Sequence, residues 1–402
     1  MADTFKFRID HHGSLVRPPE LLAARAASSS ASSSASLSES SSASSAAPDD
    51  AVAWSGPVSP GDKSDLSAIE DAAIAEVVRK QRKLSLTVVT DGEFRRADLR
   101  SAVFDAVHGF KRADSHTGLA ESEHPIAESG HPIADGERWI AGSERWIAGP
   151  ERWIAEGEIK PYRSLVADDV AVIAALTQIP AKATLPSPAY LAATTFQPGG
   201  AWSSPRELGE FLAQIIRDEI QAIISRGVRL IQIDNHGYAQ SLFSDREGSL
   251  TFEDALAVDA LAVTIADKPF NVRIGLCPLT RAGSELNMAA AEKLFTTIPV
   301  DRWVLPYDTG APAESQLLRA VPADRDVCLG IVSPLTPQLE DVDTVMDRMD
   351  HAATIRDLED IAISPSAGFS ERAGHPAISA EDQWRKLTHV ETIARMCWGN
   401  EL

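Results

Sequence analysis

Eight short segments rich in β-branched and aliphatic residues recur along this chain, each followed by a stretch with helical periodicity. They are Phe5–Ser14, Leu86–Val89, Ala181–Pro186, Arg229–Asp234, Asn271–Cys277, Arg302–Tyr307, Asp326–Val332 and Ile361–Ser364. Parallel strands must be joined by a long crossover, usually a helix, so strict alternation of strand and helix predicts a parallel sheet. Eight such units close into a (β/α)8 TIM barrel. The 402 residues then form a single α/β barrel over 1–402, interrupted by insertions. The competing open, doubly wound sheet usually carries a GxGxxG loop after its first strand. That place holds His11-His12-Gly13-Ser14 instead.

Two stretches do not fit the alternation. Residues 27–64 form a low-complexity insertion and linker, and Ala27–Ala47 is almost entirely Ser and Ala. Such a tract has little apolar surface to bury and is expected to be disordered. Residues 112–158 hold a second insertion with five tandem units of seven residues, SEHPIAE, SGHPIAD, GERWIAG, SERWIAG and PERWIAE, over Ser122–Glu156. The period is that of a coiled coil, but the units carry Gly or Pro and their apolar residues are adjacent rather than spaced as a seam. A duplicated surface insertion, either a β-rich flap or a loose loop, is the reading.

Among the helices, Tyr162–Thr177 and Pro205–Arg226 matter most below. The second carries Leu208, Phe211, Leu212, Ile215 and Ile223 on one face, with Glu219 either at the edge of that stripe, the favoured reading, or a paired buried acid.

A net charge of −20 argues against nucleic acid or an anionic membrane as partner. A small-molecule substrate remains. No apolar run approaches the ~20 residues that span a bilayer, and the N-terminus lacks a secretory pattern. The three cysteines, Cys277, Cys328 and Cys397, are too few and too scattered for a disulfide framework. A cytoplasmic location is expected.

In a barrel, the C-terminal strand ends line one mouth, where chemistry collects. Here they carry His11, His12 and Ser14; Asp91 and Glu93; Ser187; Asp234, Asn235 and His236; Cys277; Tyr307 and Asp308; Ser333; Ser364 and Ser366. The segment LTVVTDGEFRR, Leu86–Arg96, shows why: an apolar strand cannot keep Asp91 and Glu93 inside a sheet, so both belong at its exit. Three chemistries are open to this set: metal ligation, capture of a substrate ammonium group by carboxylates, and acid–base catalysis by a histidine or tyrosine.

The motifs HHGSLVRP (His11–Pro18), VVTDGEFRR (Val88–Arg96), LPSP (Leu185–Pro188), LIQID (Leu230–Asp234) and SPSAGF (Ser364–Phe369) resemble the catalytic barrel of cobalamin-independent methionine synthase, closest to its single-barrel relatives. Uroporphyrinogen decarboxylases share that fold. The resemblance implies methyl transfer from a folate-type donor to a thiol activated by zinc. It implies that Ser14 and Glu93 anchor an amino-acid substrate and that Asp234 contributes to the same pocket; Asp91, shaping the turn, and His12, Tyr307 and Asp308 are further substrate-binding candidates at these strand ends. Asp234, His236 and Cys277 are the catalytic candidates.

The family's zinc positions are altered. Its His-x-Cys becomes Gly275-Leu276-Cys277, its glutamate becomes Pro306, and its last cysteine falls in the Ser364–Gly368 turn, which has none. Cys277 is then the one retained ligand-type position, and no tight zinc site is expected. A metal-free lyase or decarboxylase, and a non-catalytic binding protein, are the alternatives.

Overall fold

The computed structural model describes residues 7–28, 63–113, 152–244 and 248–399. The Ser/Ala tract from residue 29 onward and the first four heptad units lie outside the described residues.

The chain opens with a helix over 19–28, α1, and continues through α2 (Lys63–Lys83) and the short α3 (Ser101–Phe104). A hairpin follows, β1 (Val107–Arg112) antiparallel to β2 (Trp153–Pro161). Then strand and helix alternate: α4 (Ala167–Leu176), β3 (Lys182–Pro186), α5 (Pro188–Thr195), α6 (Pro205–Ser225), β4 (Leu230–Asp234), α7 (Tyr238–Phe243) and α8 (Phe252–Val263). The series ends with β5 (Arg273–Cys277), α9 (Met288–Thr297), β6 (Arg302–Pro306), α10 (Pro312–Ala320), β7 (Asp326–Val332), α11 (Val342–Ala353), β8 (Ile361–Pro365) and α12 (Ala380–Trp398).

Strands β3 to β8 form one six-stranded sheet in sequence order, every neighbouring pair parallel. Two further segments close it into a ring. Ile9 bridges Ile363 of β8, with the Asp10 amide donating to the Ile363 carbonyl at 2.9 Å. Val89 bridges Ala181 beside β3, and the Lys182 amide donates to the Val89 carbonyl at 2.8 Å. Between these two segments a side chain makes the join. The Thr87 hydroxyl accepts from the Ile9 amide and donates to the Ile9 carbonyl, each at 2.9 Å.

All eight expected strand positions are therefore in the ring, but the first two are single bridges rather than ladders. Both segments adjoin a left-handed residue, Phe7 at φ 45° and Ser85 at φ 55°, which interrupts the extended backbone.

Side chains alternate across each strand, and the apolar residues divide accordingly. A main core lies between ring and helices, with Trp303 fully buried against Phe295 at 4.7 Å. A separate buried cluster joins Cys277, Val304, Cys328 and Ala362 from four successive strands, and another joins Phe7, Val88 and Leu230.

Three local expectations need correction. Phe211 of α6 is 42% exposed, outside the apolar face. Glu219 is not at an edge but buried, and its Oε1 accepts from the Val166 and Ala167 amides at 2.7 and 2.6 Å and from the Ser164 hydroxyl at 3.1 Å. It thereby caps α4, whose own N-cap residue, Val166, has no side chain able to do so. That helix starts at Ala167, because the preceding residues finish the hairpin and the turn that Glu219 ties down. Hairpin strand β1 had no sequence expectation. Trp153, from the last heptad unit, stacks on Phe104 at 4.6 Å.

Candidate active site

The turn after the second ring segment is built from its own polar residues. Asp91 Oδ1 accepts from the Glu93 amide at 2.8 Å, and the Thr90 hydroxyl accepts from the Gly92 amide at 3.0 Å. These contacts hold Gly92 and Glu93 in consecutive left-handed conformations, φ 71° and 59°. For glutamate that costs about 1 kcal/mol or more. The strain turns the Glu93 side chain onto β3, where its Oε1 accepts from the Thr184 hydroxyl at 2.7 Å. Asp91 acts through the backbone.

Arg17, buried, ties the mouth loops together. It donates to the carbonyls of Glu93 and Arg96, each at 2.9 Å, and to the carbonyl of Ser370 at 2.8 Å. Burial lowers its guanidinium to about 10, against the pull of Glu93. Ser14 sits where the last loop comes closest: a Cβ on Gly368 would stand 2.0 Å from its Oγ, so only glycine fits there.

Across the ring, Asp234 and Cys277 end adjacent strands in direct register. The Asn235 amide donates to the Cys277 carbonyl at 3.0 Å, which locks the two strand ends together. Asp234, His236 and Cys277 bring a carboxylate oxygen, a ring nitrogen and a sulfur within 4.8 Å of one another. His12 approaches from the first segment, its Nδ1 3.9 Å from the Cys277 sulfur. Its Nε2 is buried without a hydrogen-bond partner among the described residues.

Burial governs the charges. It pushes Asp234 up to about 8, against a hydrogen bond from Gln232 at 2.7 Å and with help from the negative charges of Glu93 and Glu371. It lowers His12 to about 3, assisted by the cationic Lys182. It also raises the Cys277 thiol well above its ordinary value, with Asp234 adding to the effect. The nearby cations are Arg17, Lys182 and Arg96, whose Nη1 lies 3.8 Å from Glu93 Oε1. A ligand cation there would meet ionisable oxygen, nitrogen and sulfur at once.

The donors fit a zinc-type ion in kind, since oxygen, imidazole nitrogen and thiolate are all zinc ligands. Cys277, the one retained ligand-type position, has two further ligand-type side chains beside it, Asp234 and His236. Tyr307 and Asp308 take a different place. They line a cleft of about 800 Å³ between α10 and α11, together with Arg319, Arg348 and His351, and its lining includes none of Asp234, His236 and Cys277. Asp308 accepts from the Ser366 hydroxyl at 2.8 Å.

Two contributors were not expected from sequence. Asp259 of α8 is fully buried and holds the strand ends from behind. It accepts from the Ser187 hydroxyl at 2.6 Å and the Asn235 amide group at 2.9 Å on its two oxygens, and from the Tyr238 hydroxyl at 2.9 Å. The signal was an aspartate between Val258 and Ala262 on a helix face that is otherwise apolar. Glu371, in the loop after β8, left no such mark.

Residues 201–389 match the family described as the cobalamin-independent synthase catalytic domain. The match covers the part of the chain from α6 into α12. Two uncharacterized proteins of Bacillus subtilis (strain 168), YxjG and YxjH, are 25% identical over 351 and 349 residues, covering 83% of this chain and 86% of each of theirs. A provisional vitamin-B12-independent methionine synthase of Listeria monocytogenes shares the fold across 98% of both chains, with a TM-score of 0.65 and 22% identity. A B12-independent methionine synthase from Shewanella sp. W3-18-1, solved in complex with selenomethionine, matches at a TM-score of 0.62 and 15% identity, covering 83% of this chain and 89% of that one. The strand ends carry Ser14, Glu93, Asp234 and Cys277, and no side-chain donor stands at Gly275 or Pro306. No helix among the described residues is long and apolar enough to cross a membrane.

Proposed function

We propose that this protein is a methyltransferase that moves a methyl group from a folate-type donor to the thiol of a small amino-acid-like acceptor. One observation carries the reading: two buried carboxylates from separate strand ends, Glu93 and Asp234, stand at the mouth where Cys277 also ends its strand, and the negative charge of Glu93 helps to raise Asp234. Paired buried carboxylates favour a cationic guest, and the ammonium group of an amino acid supplies one. The selenomethionine held by the Shewanella protein is an amino acid of that kind, and its methylated selenium corresponds to a methylated thiol.

In this reading Glu93 and Ser14 hold the backbone end of the acceptor, and Asp91 keeps Glu93 in its strained turn. Asp234, His236 and Cys277 would hold a zinc-type ion. Such an ion, when bound, stabilises the acceptor sulfur as a thiolate at neutral pH. The sulfur–carbon bond forms as the donor's nitrogen–carbon bond breaks, and the donor nitrogen takes up a proton. His12, kept neutral by burial, lies 3.9 Å from the Cys277 sulfur, beside these residues. The partner is a small molecule, with no nucleic acid or membrane surface involved, and the free thiol chemistry suits the reducing cytoplasm.

The test is to incubate purified protein with a methyl-folate donor and homocysteine, in zinc-supplemented buffer, and to assay methionine. Product formation supports the reading. Its absence with several amino-acid thiols overturns it. In the active case Glu93→Gln should raise KM for the acceptor ~10–100-fold with little change in kcat, the loss expected of a charge-assisted contact made in both ground and transition states. An unchanged KM would remove Glu93 from the anchoring role.

A further inference from the structure

We propose that Asp234, His236 and Cys277 form a relocated metal centre, a three-ligand site for zinc or a similar borderline-soft divalent cation that replaces the family's own ligand set. The proposal rests on the reading of the mouth as a thiol-activating site, but its test does not need turnover.

Gly275 has no side chain and Pro306 has no donor, so a metal seated at the family's position would keep few ligands. The chain instead places His236 two residues beyond Asp234, on the turn that leaves β4. Asp234 and Cys277 are cross-strand partners, which sets the spacing of two donors by the sheet itself. The third donor comes from the turn, and that turn is rigid. Asn235 is clamped by Asp259 and by the Ser187 hydroxyl, each at 2.9 Å, and its side-chain oxygen accepts from the Gly237 amide at 3.1 Å.

Gln232 holds one oxygen of Asp234 at 2.7 Å and leaves the other available. Supporting contacts of this type orient metal ligands. His12 borders the same cluster. His12 is 93% buried, judged from its 7% exposure, and directs Nδ1 to the Cys277 sulfur at 3.9 Å while Nε2 has no hydrogen-bond partner among the described residues.

Metal–ligand bonds of ~2.0–2.3 Å require donor atoms ~3.3–3.8 Å apart in a tetrahedron. The observed group, within 4.8 Å, closes by about 1 Å on binding. Three protein ligands would leave a fourth position for solvent or substrate, as in catalytic rather than structural sites. Binding releases the Cys277 proton to solvent.

The experiment uses the full chain, stripped of metal and titrated with cobalt(II), then with zinc in competition. Wild type should take up one equivalent, with the near-ultraviolet band of a thiolate–cobalt bond. Cys277→Ser should abolish that band. His236→Gln, at a half-exposed turn where folding is not at risk, should keep the band and weaken binding by more than the ~10–100-fold typical of outer-shell changes. Circular dichroism checks that each variant is folded. Lack of stoichiometric uptake by wild type overturns the metal centre, whatever the methionine assay gives. Uptake with full affinity in His236→Gln overturns the ligand set. A protein that binds cobalt with the expected band but forms no methylated product keeps the metal centre and removes the methyl-transfer reading.

Discussion

At the scale of single residues, burial decides more than sequence identity. His11 and His12 look equivalent in the HHGS motif, yet they face different partners. The Gln81 side-chain nitrogen already donates to the carbonyls of Val77 and Thr90, so its oxygen receives the His11 Nε2–H at 2.9 Å, which fixes the tautomer. Burial, reinforced by Lys182, lowers His11 to about 4. In the unfolded chain it would protonate near 6.5. Between those values the unfolded state binds the extra proton. The His11 contribution is therefore intact above pH 6.5 and is lost as pH falls toward 4, at ~1.4 kcal/mol per pH unit at most. Urea unfolding of wild type and His11→Gln from pH 7 to pH 4.5 checks this: the wild type should lose stability more steeply. Parallel curves would assign the acid sensitivity elsewhere. Residues such as Glu93 and Asp234 were legible because an apolar strand must eject its charges. Arg17 and Asp259 were not, because their partners lie far away in sequence and nothing in the local pattern names them.

At the scale of elements, periodicity identified most helices, and the misreadings share one cause. An acid within an apolar helical face reads as an edge residue unless its partner is known. Glu219 is buried because α4 begins without a capping side chain and borrows one from α6. Its carboxylate satisfies two amides at a helix N-terminus, where negative charge is also favoured by the helix dipole. Glu219→Ala leaves those amides unsatisfied and should cost ~2–3 kcal/mol. Glu219→Gln, which keeps an accepting oxygen, should cost less. Hydrogen exchange should accelerate first in Ala167–Leu176 in the alanine variant; uniform acceleration across the chain would contradict a local cap. The β1–β2 hairpin was illegible for a different reason. Its first strand, VHGFKR, is half polar and broken by Gly109, whose φ of 97° and close approach to the Glu158 carbonyl exclude a side chain.

For the whole molecule, the strand count was legible but the closure of the ring was not. Six strands pair by regular ladders, whereas the first two positions join their neighbours by isolated bridges and each other through Thr87. A sequence pattern reports which residues are apolar, not which amides remain for a neighbour to satisfy. Ile9 is fully buried, and its amide and carbonyl both meet the Thr87 hydroxyl. Because His11, His12 and Ser14 follow directly on this segment, the seam holds the first side of the mouth in place. Thr87→Val preserves shape and removes the hydroxyl, leaving two buried backbone groups without that partner. The loss should be ~2 kcal/mol or more, seen as a lower urea midpoint with an unchanged slope. Thr87→Ser, which retains the hydroxyl, should recover most of it. If the valine variant matches wild type, the hydroxyl does not secure the seam, and the ring is held by the two bridges and by packing against the helices alone.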